Sequence, residues 1–253
     1  MSPARQTRVG LTLAAFVAAA FIALHIYAVF VHELAGEGWI VAPFLVAILC
    51  WLNVGLFIIA HDCMHGSLAP GRPRLNRWIG RVALALYAGF SFDRLLPKHF
   101  GHHKHPGTEH DPDFSTSHSR HFWPWFFQFL RQYFGLREFL VLTALVWTYV
   151  LLLGAPYGNL LLFWALPAIL SSLQLFLFGT YLPHRAEEAE FADGHRARSN
   201  DYGHLASLLT CFHFGYHHEH HLAPHVPWWR LPQERKASST RSTARLTPPA
   251  DAI

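Results

Sequence analysis

The stretch "WIVAPFLVAILCWLNVGLFIIAHDCMH" (39–65) combines an apolar run with two histidines. Residues 39–60 are long enough to cross a bilayer, since a spanning helix needs about 20 apolar residues. His61 and His65 follow at once, four residues apart, and side chains at i and i+4 share one face of a helix. The segment predicts a membrane-spanning helix that ends in a pair of histidines.

The composition of the whole chain also indicates a membrane protein. Of its 253 residues, 52% are hydrophobic and 14% are charged, whereas soluble domains carry about 25% charge. No Lys or Arg lies between Val9 and Gly71, and no charged residue lies between Phe139 and His184. Each stretch has room for two spans. We predict membrane spans near 9–31, 39–60, 138–153 and 160–182.

The positive charges predict the orientation of these spans. If Arg5 and Arg8 are cytoplasmic, all twenty Lys and Arg fall on the cytoplasmic side, as the positive-inside rule expects. We therefore expect an inner-membrane protein with its N-terminus in the cytoplasm. The alternative is that the first apolar run is a cleaved signal peptide, but its removal would break this pattern.

The remaining segments complete an all-α fold class. Residues 82–92 predict a re-entrant or interfacial helix, and the aromatic residues 122–134 predict an interfacial one. We expect residues 1–235 to form a single membrane-embedded domain. Residues 236–253 are small and polar and end in prolines, which predicts a disordered tail.

Histidines recur with helical spacing in three separate segments. The i, i+3, i+4 spacing of 99, 102 and 103 is repeated at 217, 220 and 221. A polar membrane boundary would explain one such cluster but not three on one side of the membrane, so we predict a metal site there. His184, at the end of the fourth span, is placed at the same depth. The candidate ligands are His61, His65, His99, His102, His103, His184, His217, His220 and His221.

The number of imidazoles predicts two metals. The three clusters alone supply eight, and one first-row metal takes about four to six ligands. A structural zinc site closes with four ligands, often including Cys, and Cys50, Cys63 and Cys211 form no CxxC pair. Imidazole also suits copper and nickel. Iron with open positions supports dioxygen chemistry at unactivated C–H bonds.

Carboxylates near the clusters are candidates to orient the histidines, because metal-bound His usually donates its second N–H to such a group. We expect this of Asp62 and Glu219. For Asp111 and Asp113 the sequence favours neither alternative: each is either a solvated surface acid or a hydrogen-bond partner of a histidine. His218 projects about 100° away from its neighbour on a helix, which makes it a supporting or surface residue. A register of His218 with His221 and His225 is the weaker alternative.

The motifs resemble those of a known superfamily. The relevant stretches are "HDCMHGSL" (61–68), "HFGHHKHPGTEHDPDF" (99–114) and "FGYHHEHHLAPHVPWWRLP" (214–232). Their histidines resemble the boxes of membrane fatty acid desaturases and hydroxylases. The residues around them resemble bacterial beta-carotene ketolases, and the resemblance covers roughly residues 40–232.

This resemblance implies a non-haem enzyme with two iron ions and O2 as co-substrate. It implies conversion of the C4 methylene of a β-ionone ring to a ketone, from beta-carotene through echinenone to canthaxanthin or from zeaxanthin to astaxanthin. It carries over the same eight histidines, with His184 matching a further one. The chain has no haem or nucleotide motif, so the electrons would come from an external donor, ferredoxin with its reductase. Candidates to line the site for a carotenoid in the lipid bilayer are Phe90, Phe92, Phe176 and Phe178.

Other functions compete with this one. A fatty acid desaturase or hydroxylase, or a carotenoid hydroxylase, would share the metal site and the topology. From a different class, a membrane metal-binding protein would need the histidines alone, although transporters place ligands along a path through the bilayer. We expect no nucleic-acid partner.

Overall fold

The computed structural model describes residues 1–187 and 190–246, and within these ranges the chain is helical without a β-strand. The all-α fold class is thereby confirmed. The helices are α1 (Pro3–Val31), α2 (Gly38–His65), α3 (Pro73–Ala88), α4 (Phe92–Lys104), α5 (Phe122–Tyr133), α6 (Leu136–Leu152), α7 (Tyr157–His184), α8 (His204–Cys211), α9 (His217–Leu222) and α10 (Leu231–Leu246).

Helix α2 forms the centre of the bundle, and α1, α3 and α7 pack around it. Of its most apolar stretch 67% is buried inside the protein, against 33% for α1 and 39% for α7. Leu49, Leu56 and Ile58 of α2 have no exposed surface. The helix that carries the first histidine pair is therefore the most deeply packed of the three long apolar helices.

Three helices are long and apolar enough to cross a membrane: α1, α2 and α7. They confirm the predicted spans near 9–31, 39–60 and 160–182 as candidates. The predicted span near 138–153 differs, because α6 meets this standard only together with α5, and the two are bent by 80°. Gly135 lies at the bend, and its N–H donates to Glu138 Oε2 at 3.1 Å, which caps α6 as a new helix. The bundle thus has three candidate spans, or four if the bent pair counts as one.

The predicted re-entrant segment 82–92 is not a helix of its own. It divides between the end of α3 and the start of α4. Helix α3 is amphipathic: Gly80 and Leu84 are buried, whereas Arg74 and Trp78 are exposed. An amphipathic helix of this kind suits the membrane surface better than a re-entrant path.

The C-terminal helix α10 continues to Leu246 and so covers the first part of the predicted tail, 236–253. Ser238 Oγ donates to Glu219 Oε1 at 2.9 Å, which ties this part of α10 to α9. Residues 247–253 lie outside the described residues. Their disorder and the single-domain boundary at 235 stay predictions.

Replacing Gly80 by Ala should destabilise the fold. The new Cβ would overlap the buried ring of Phe92, and overpacking of this kind costs roughly 1–3 kcal/mol. We expect a melting temperature several degrees lower for Gly80→Ala in detergent. Gly158→Ala is the matched control, because its Cβ would meet only Leu34 at 4.0 Å. Adding Phe92→Leu to Gly80→Ala should restore part of the loss, and no difference from the control would contradict the packing.

Candidate metal centre

The first histidine pair occupies the last turn of α2. Gly66 ends the helix directly after His65 with a φ of 70°, a left-handed conformation that Gly adopts without strain. His61 is buried, and the rings of His61 and His65 lie 4.9 Å apart. Because α2 is central, this pair is fixed at one end of the bundle.

Helices α4 and α9 bring the two HxxHH motifs to the same place, and α7 adds His184. The nine histidines form two groups in which all candidate donor atoms lie within 4.8 Å of one another. The first histidine group is His61, His65, His99, His103 and His220. The second histidine group is His102, His184, His217 and His221. All nine predicted ligands are thus assembled, at one end of the helical bundle.

Each HxxHH motif contributes to both groups. On α4, His99 and His103 are four apart and face the first group, whereas His102 turns to the second. On α9 the division is reversed: two of its histidines belong to the second group and His220 belongs to the first. The groups adjoin, since the rings of His103 and His221 stack at 4.3 Å.

The spacing of the ring nitrogens fits metal coordination. In the first group the Nε2 atoms of His65 and His99 lie 2.6 Å apart, and those of His103 and His220 lie 3.0 Å apart. In the second group His221 Nε2 lies 3.2 Å from His102 Nε2 and 3.0 Å from His217 Nε2. Two nitrogens each about 2.1 Å from one metal, at a right angle, are about 3.0 Å apart.

Two further ring nitrogens lack a hydrogen-bond partner within the described part of the chain. The Nε2 atoms of His61 and His184 are buried and have no hydrogen-bond partner among the described residues. An orphaned buried polar atom costs free energy unless another group satisfies it. A metal ion is such a group, so both nitrogens fit the role of ligand.

Burial keeps the imidazoles in the state that binds metals. It lowers the pKa of His99, His217, His220 and His221 well below the ordinary value, and neighbouring histidines lower these pKa values further. The rings are therefore neutral near pH 7. Neutral imidazole is the form that ligates a metal.

Two histidines of the second group are oriented from outside. Asp111 accepts a hydrogen bond from His102 Nδ1, with oxygens at 2.9 and 3.0 Å. Burial lowers the pKa of His102, but this bond and the nearby charges of Asp111 and Asp113 outweigh it and raise that pKa overall. His184 Nδ1 donates to the carbonyl oxygen of Arg196 at 2.7 Å. Both rings thereby turn Nε2 towards the group.

Asp62 and Glu219, the carboxylates predicted to orient the histidines, have other hydrogen-bond partners. Asp62 accepts from the backbone N–H of Trp228 at 3.2 Å, and its nearest oxygen is 4.0 Å from His61 Nδ1, too far for a hydrogen bond. Glu219 accepts from Ser199, Ser238 and Arg235, and it bonds to no histidine of either group. In this structure neither Asp62 nor Glu219 bonds to a histidine of the two groups, whereas Asp111 does. Its signal in the sequence is its position in "HDPD", nine residues after His102.

His218 and His213, two histidines outside the spacing pattern, lie outside both groups, whereas His184, which also stands outside the pattern, belongs to the second group. His218 Nε2 pairs with Asp193 Oδ2 at 2.8 Å, at the surface. His213 is buried with its ring stacked on that of Tyr216 and 4.5 Å from the ring of His204. The spacing therefore predicts eight of the nine grouped histidines, and the position of His184 at the end of α7 predicts the ninth.

A largely apolar cavity opens onto both groups. His61 and His99 of the first group and His102 and His217 of the second line it. Part of the wall comes from a π-helical turn of α7 at Leu177–Tyr181, a local widening that is frequent at functional sites.

Of the four phenylalanines expected to line the site, the cavity includes Phe90 alone. Phe92 packs against Gly80, and Phe176 is enclosed among aromatic rings of α5. Phe178 lies beside the ring of Tyr202. These three side chains pack against other parts of the protein, away from the cavity. Its wall contains Phe57, Phe129 and Phe214 instead.

Comparison with known proteins gives a consistent family. The model of the fatty acid desaturase family matches residues 37–142 and 127–245. A beta-carotene ketolase of Paracoccus sp. (strain PC1) is 52% identical over 91% of this chain and 94% of its own length. A beta-carotene ketolase of Paracoccus sp. (strain N81106 / MBIC 01143) is 50% identical over 92% and 95%. A zeaxanthin 4-ketolase of Chlamydomonas reinhardtii is 38% identical over 92% of this chain and 55% of its own length. With this match over most of its length, the chain belongs to the fatty acid desaturase family.

Proposed function

We propose that the protein is a beta-carotene ketolase, an O2-dependent di-iron oxygenase that converts the C4 methylene of a β-ionone ring to a ketone. The observation that carries this proposal is the 50–52% identity to two bacterial beta-carotene ketolases over more than nine-tenths of the chain. Reaction at both rings would convert beta-carotene through echinenone to canthaxanthin. Reaction with zeaxanthin would give astaxanthin.

The two histidine groups would each hold one iron ion. Their imidazole nitrogens are close enough to share a metal, and burial lowers the pKa of His99 in the first group and of His217 in the second, which favours the neutral rings that ligate metals. Iron bound here would supply the activation of dioxygen towards an unactivated C–H bond. Asp111 and the Arg196 carbonyl hold two of the rings in the required orientation, as partners of metal-bound histidines usually do.

The cavity suits a hydrocarbon ring. Phe57, Phe90 and Phe214 give it an apolar wall beside the histidines, and a ligand site of this kind excludes water from the reacting carbon. A carotenoid dissolved in the bilayer would reach it among the helices. The enzyme would then act on a substrate that never enters water.

The oxidation balances with two molecules of O2 for each ketone. In each of two hydroxylations one oxygen atom enters a C4–H bond, and the other leaves as water with two electrons and two protons. The resulting gem-diol loses water to give the ketone. Four electrons are therefore needed for each ring.

These electrons would come from a separate carrier, and we propose ferredoxin with its reductase. The chain has no nucleotide- or haem-binding motif of its own. Arg72 and Arg74 are exposed and suit an acidic partner. The cytoplasmic side of the inner membrane is proposed for this face, because all Lys and Arg fall on one side of the predicted topology.

Expression in a bacterium that accumulates beta-carotene tests the activity. We expect echinenone and canthaxanthin, identified by pigment chromatography, because the chain combines two histidine groups with an apolar cavity beside them. Unchanged pigment with altered fatty acids would point to a desaturase instead. Unchanged pigment and fatty acids would contradict an oxygenase of either kind.

Two neighbouring histidines of α9 give a matched test of the metal site. His220→Ala removes a member of the first group and should abolish ketone formation, whereas His218→Ala removes a surface residue and should keep most of it. Both proteins should accumulate in membranes. Purified wild type should contain about two iron ions per chain, and His220→Ala should contain fewer. Full activity of His220→Ala would refute the assignment.

Asp111→Ala should weaken metal binding without removing a ligand. Loss of a carboxylate that holds a metal-bound histidine typically lowers metal affinity about 10–100-fold. Competition with a chelator on purified protein measures this. Asp93→Ala is the control, since Asp93 stands at the start of the same helix and pairs with Arg81. Equal iron retention by both variants would show that Asp111 does not support the site.

A further inference from the structure

The cavity has one strongly polar corner. Asp113 and the hydroxyl-bearing ring of Tyr133 both line it, beside His102. Asp113 Oδ2 lies 3.9 Å from His102 Nδ1, and the Tyr133 O–H donates to Asp113 Oδ1. Most of the surrounding wall is apolar. Leu95 of α4 and Phe129 and Leu130 of α5 are part of it.

The corner is held in place by several contacts. The backbone N–H of Asp113 donates to Asp111 Oδ1 at 2.8 Å, and its carbonyl oxygen accepts from Trp125 Nε1 at 2.8 Å. Lys98 Nζ lies 5.0 Å from the centre of the Tyr133 ring. A polar pair with this support keeps its position when a ligand enters.

One carboxylate oxygen of this corner has no hydrogen-bond donor in the part of the chain that the structure describes. Tyr133 bonds to Oδ1 of Asp113, whereas Oδ2 accepts no hydrogen bond from the described residues. The side chain of Asp113 is 14% exposed and lines the cavity. If a pure hydrocarbon filled the cavity, this carboxylate oxygen would lose access to water without gaining a partner, which costs free energy. A hydroxyl group on the ligand would supply the missing donor.

We propose that Asp113 and Tyr133 form a hydroxyl-binding subsite for a β-ionone ring that carries a hydroxyl at C3. The inference rests on the proposed function and assigns residues that would select its 3-hydroxylated substrates. The ring hydroxyl donates to Asp113 Oδ2. Since C3 is bonded to C4, this contact beside His102 holds the carbon to be oxidised next to the two histidine groups.

Two polar residues of α7, Ser172 and Thr180, also line the cavity and could in principle bind a ring hydroxyl. Ser172 Oγ donates to the carbonyl oxygen of Ile169 at 2.7 Å, so its proton is already used. Thr180 is buried at the wall with no such bond among the described residues. It is an alternative hydroxyl-binding residue, and Thr180→Val is therefore the matched control.

The test is a competition between two substrates. Membranes that contain the protein, with ferredoxin and its reductase, receive equal amounts of beta-carotene and zeaxanthin. The ratio of initial ketone yields is independent of enzyme amount and iron loading. The double variant Asp113→Leu/Tyr133→Phe makes the corner apolar, and the zeaxanthin-to-beta-carotene ratio should fall at least about tenfold, since a hydrogen bond to a charged group is lost. Thr180→Val should keep the wild-type ratio.

The outcomes separate this inference from the proposed function. No ketone from either substrate with wild type refutes the function, whereas ketone from beta-carotene alone overturns the subsite. A ratio that falls in Thr180→Val but not in the double variant also overturns it. If the double variant makes no product, pigment copurifying with metal-free protein from the same mixture is measured instead. An unchanged share of bound zeaxanthin in both the double variant and Tyr133→Phe overturns the subsite.

Discussion

The gathering of nine imidazoles, six of them buried and three half-buried, at one end of an apolar helix bundle is the constraint on which this structure depends. A buried neutral ring has a donor and an acceptor nitrogen, and leaving either without a partner costs free energy. The spanning helices supply almost no polar groups, because their own backbone bonds are internal. The partners must therefore come from the histidines themselves, from a metal, or from polar segments that fold over that end. The loop around Asp111 and the backbone at Arg196 are two such segments.

Much of the fold and of the histidine set follows from local pattern. Apolar length predicts α1, α2 and α7, since a span needs a continuous run. Spacing of three and four residues predicts which histidines point together, and it also excludes His218, which pairs with Asp193 at the surface. These features depend on residues close in sequence, so the sequence contains the information directly.

Features that depend on distant contacts could not be predicted in this way. Asp62 and Glu219 lie nearer in sequence to histidines than Asp111 does, yet the return of the chain after α4 brings Asp111 to His102. Phe176 lies on α7, and other residues of α7 line the cavity. The ring of Phe176 itself packs against α5. The 80° bend before α6 depends on a cap at Gly135. In each case the decision is made by packing between elements.

The division of each HxxHH motif between two groups has a consequence for the chemistry. Because α4 and α9 each contribute to both groups, neither helix can shift without moving histidines of both. The cavity likewise touches histidines of both groups. A ring held in this cavity therefore approaches both groups at once, and its orientation depends on the wall rather than on one ligand. The polar corner beside His102 adds a carboxylate acceptor to that wall, and under the proposed subsite an oxygen on the ring would decide there which carbon is presented.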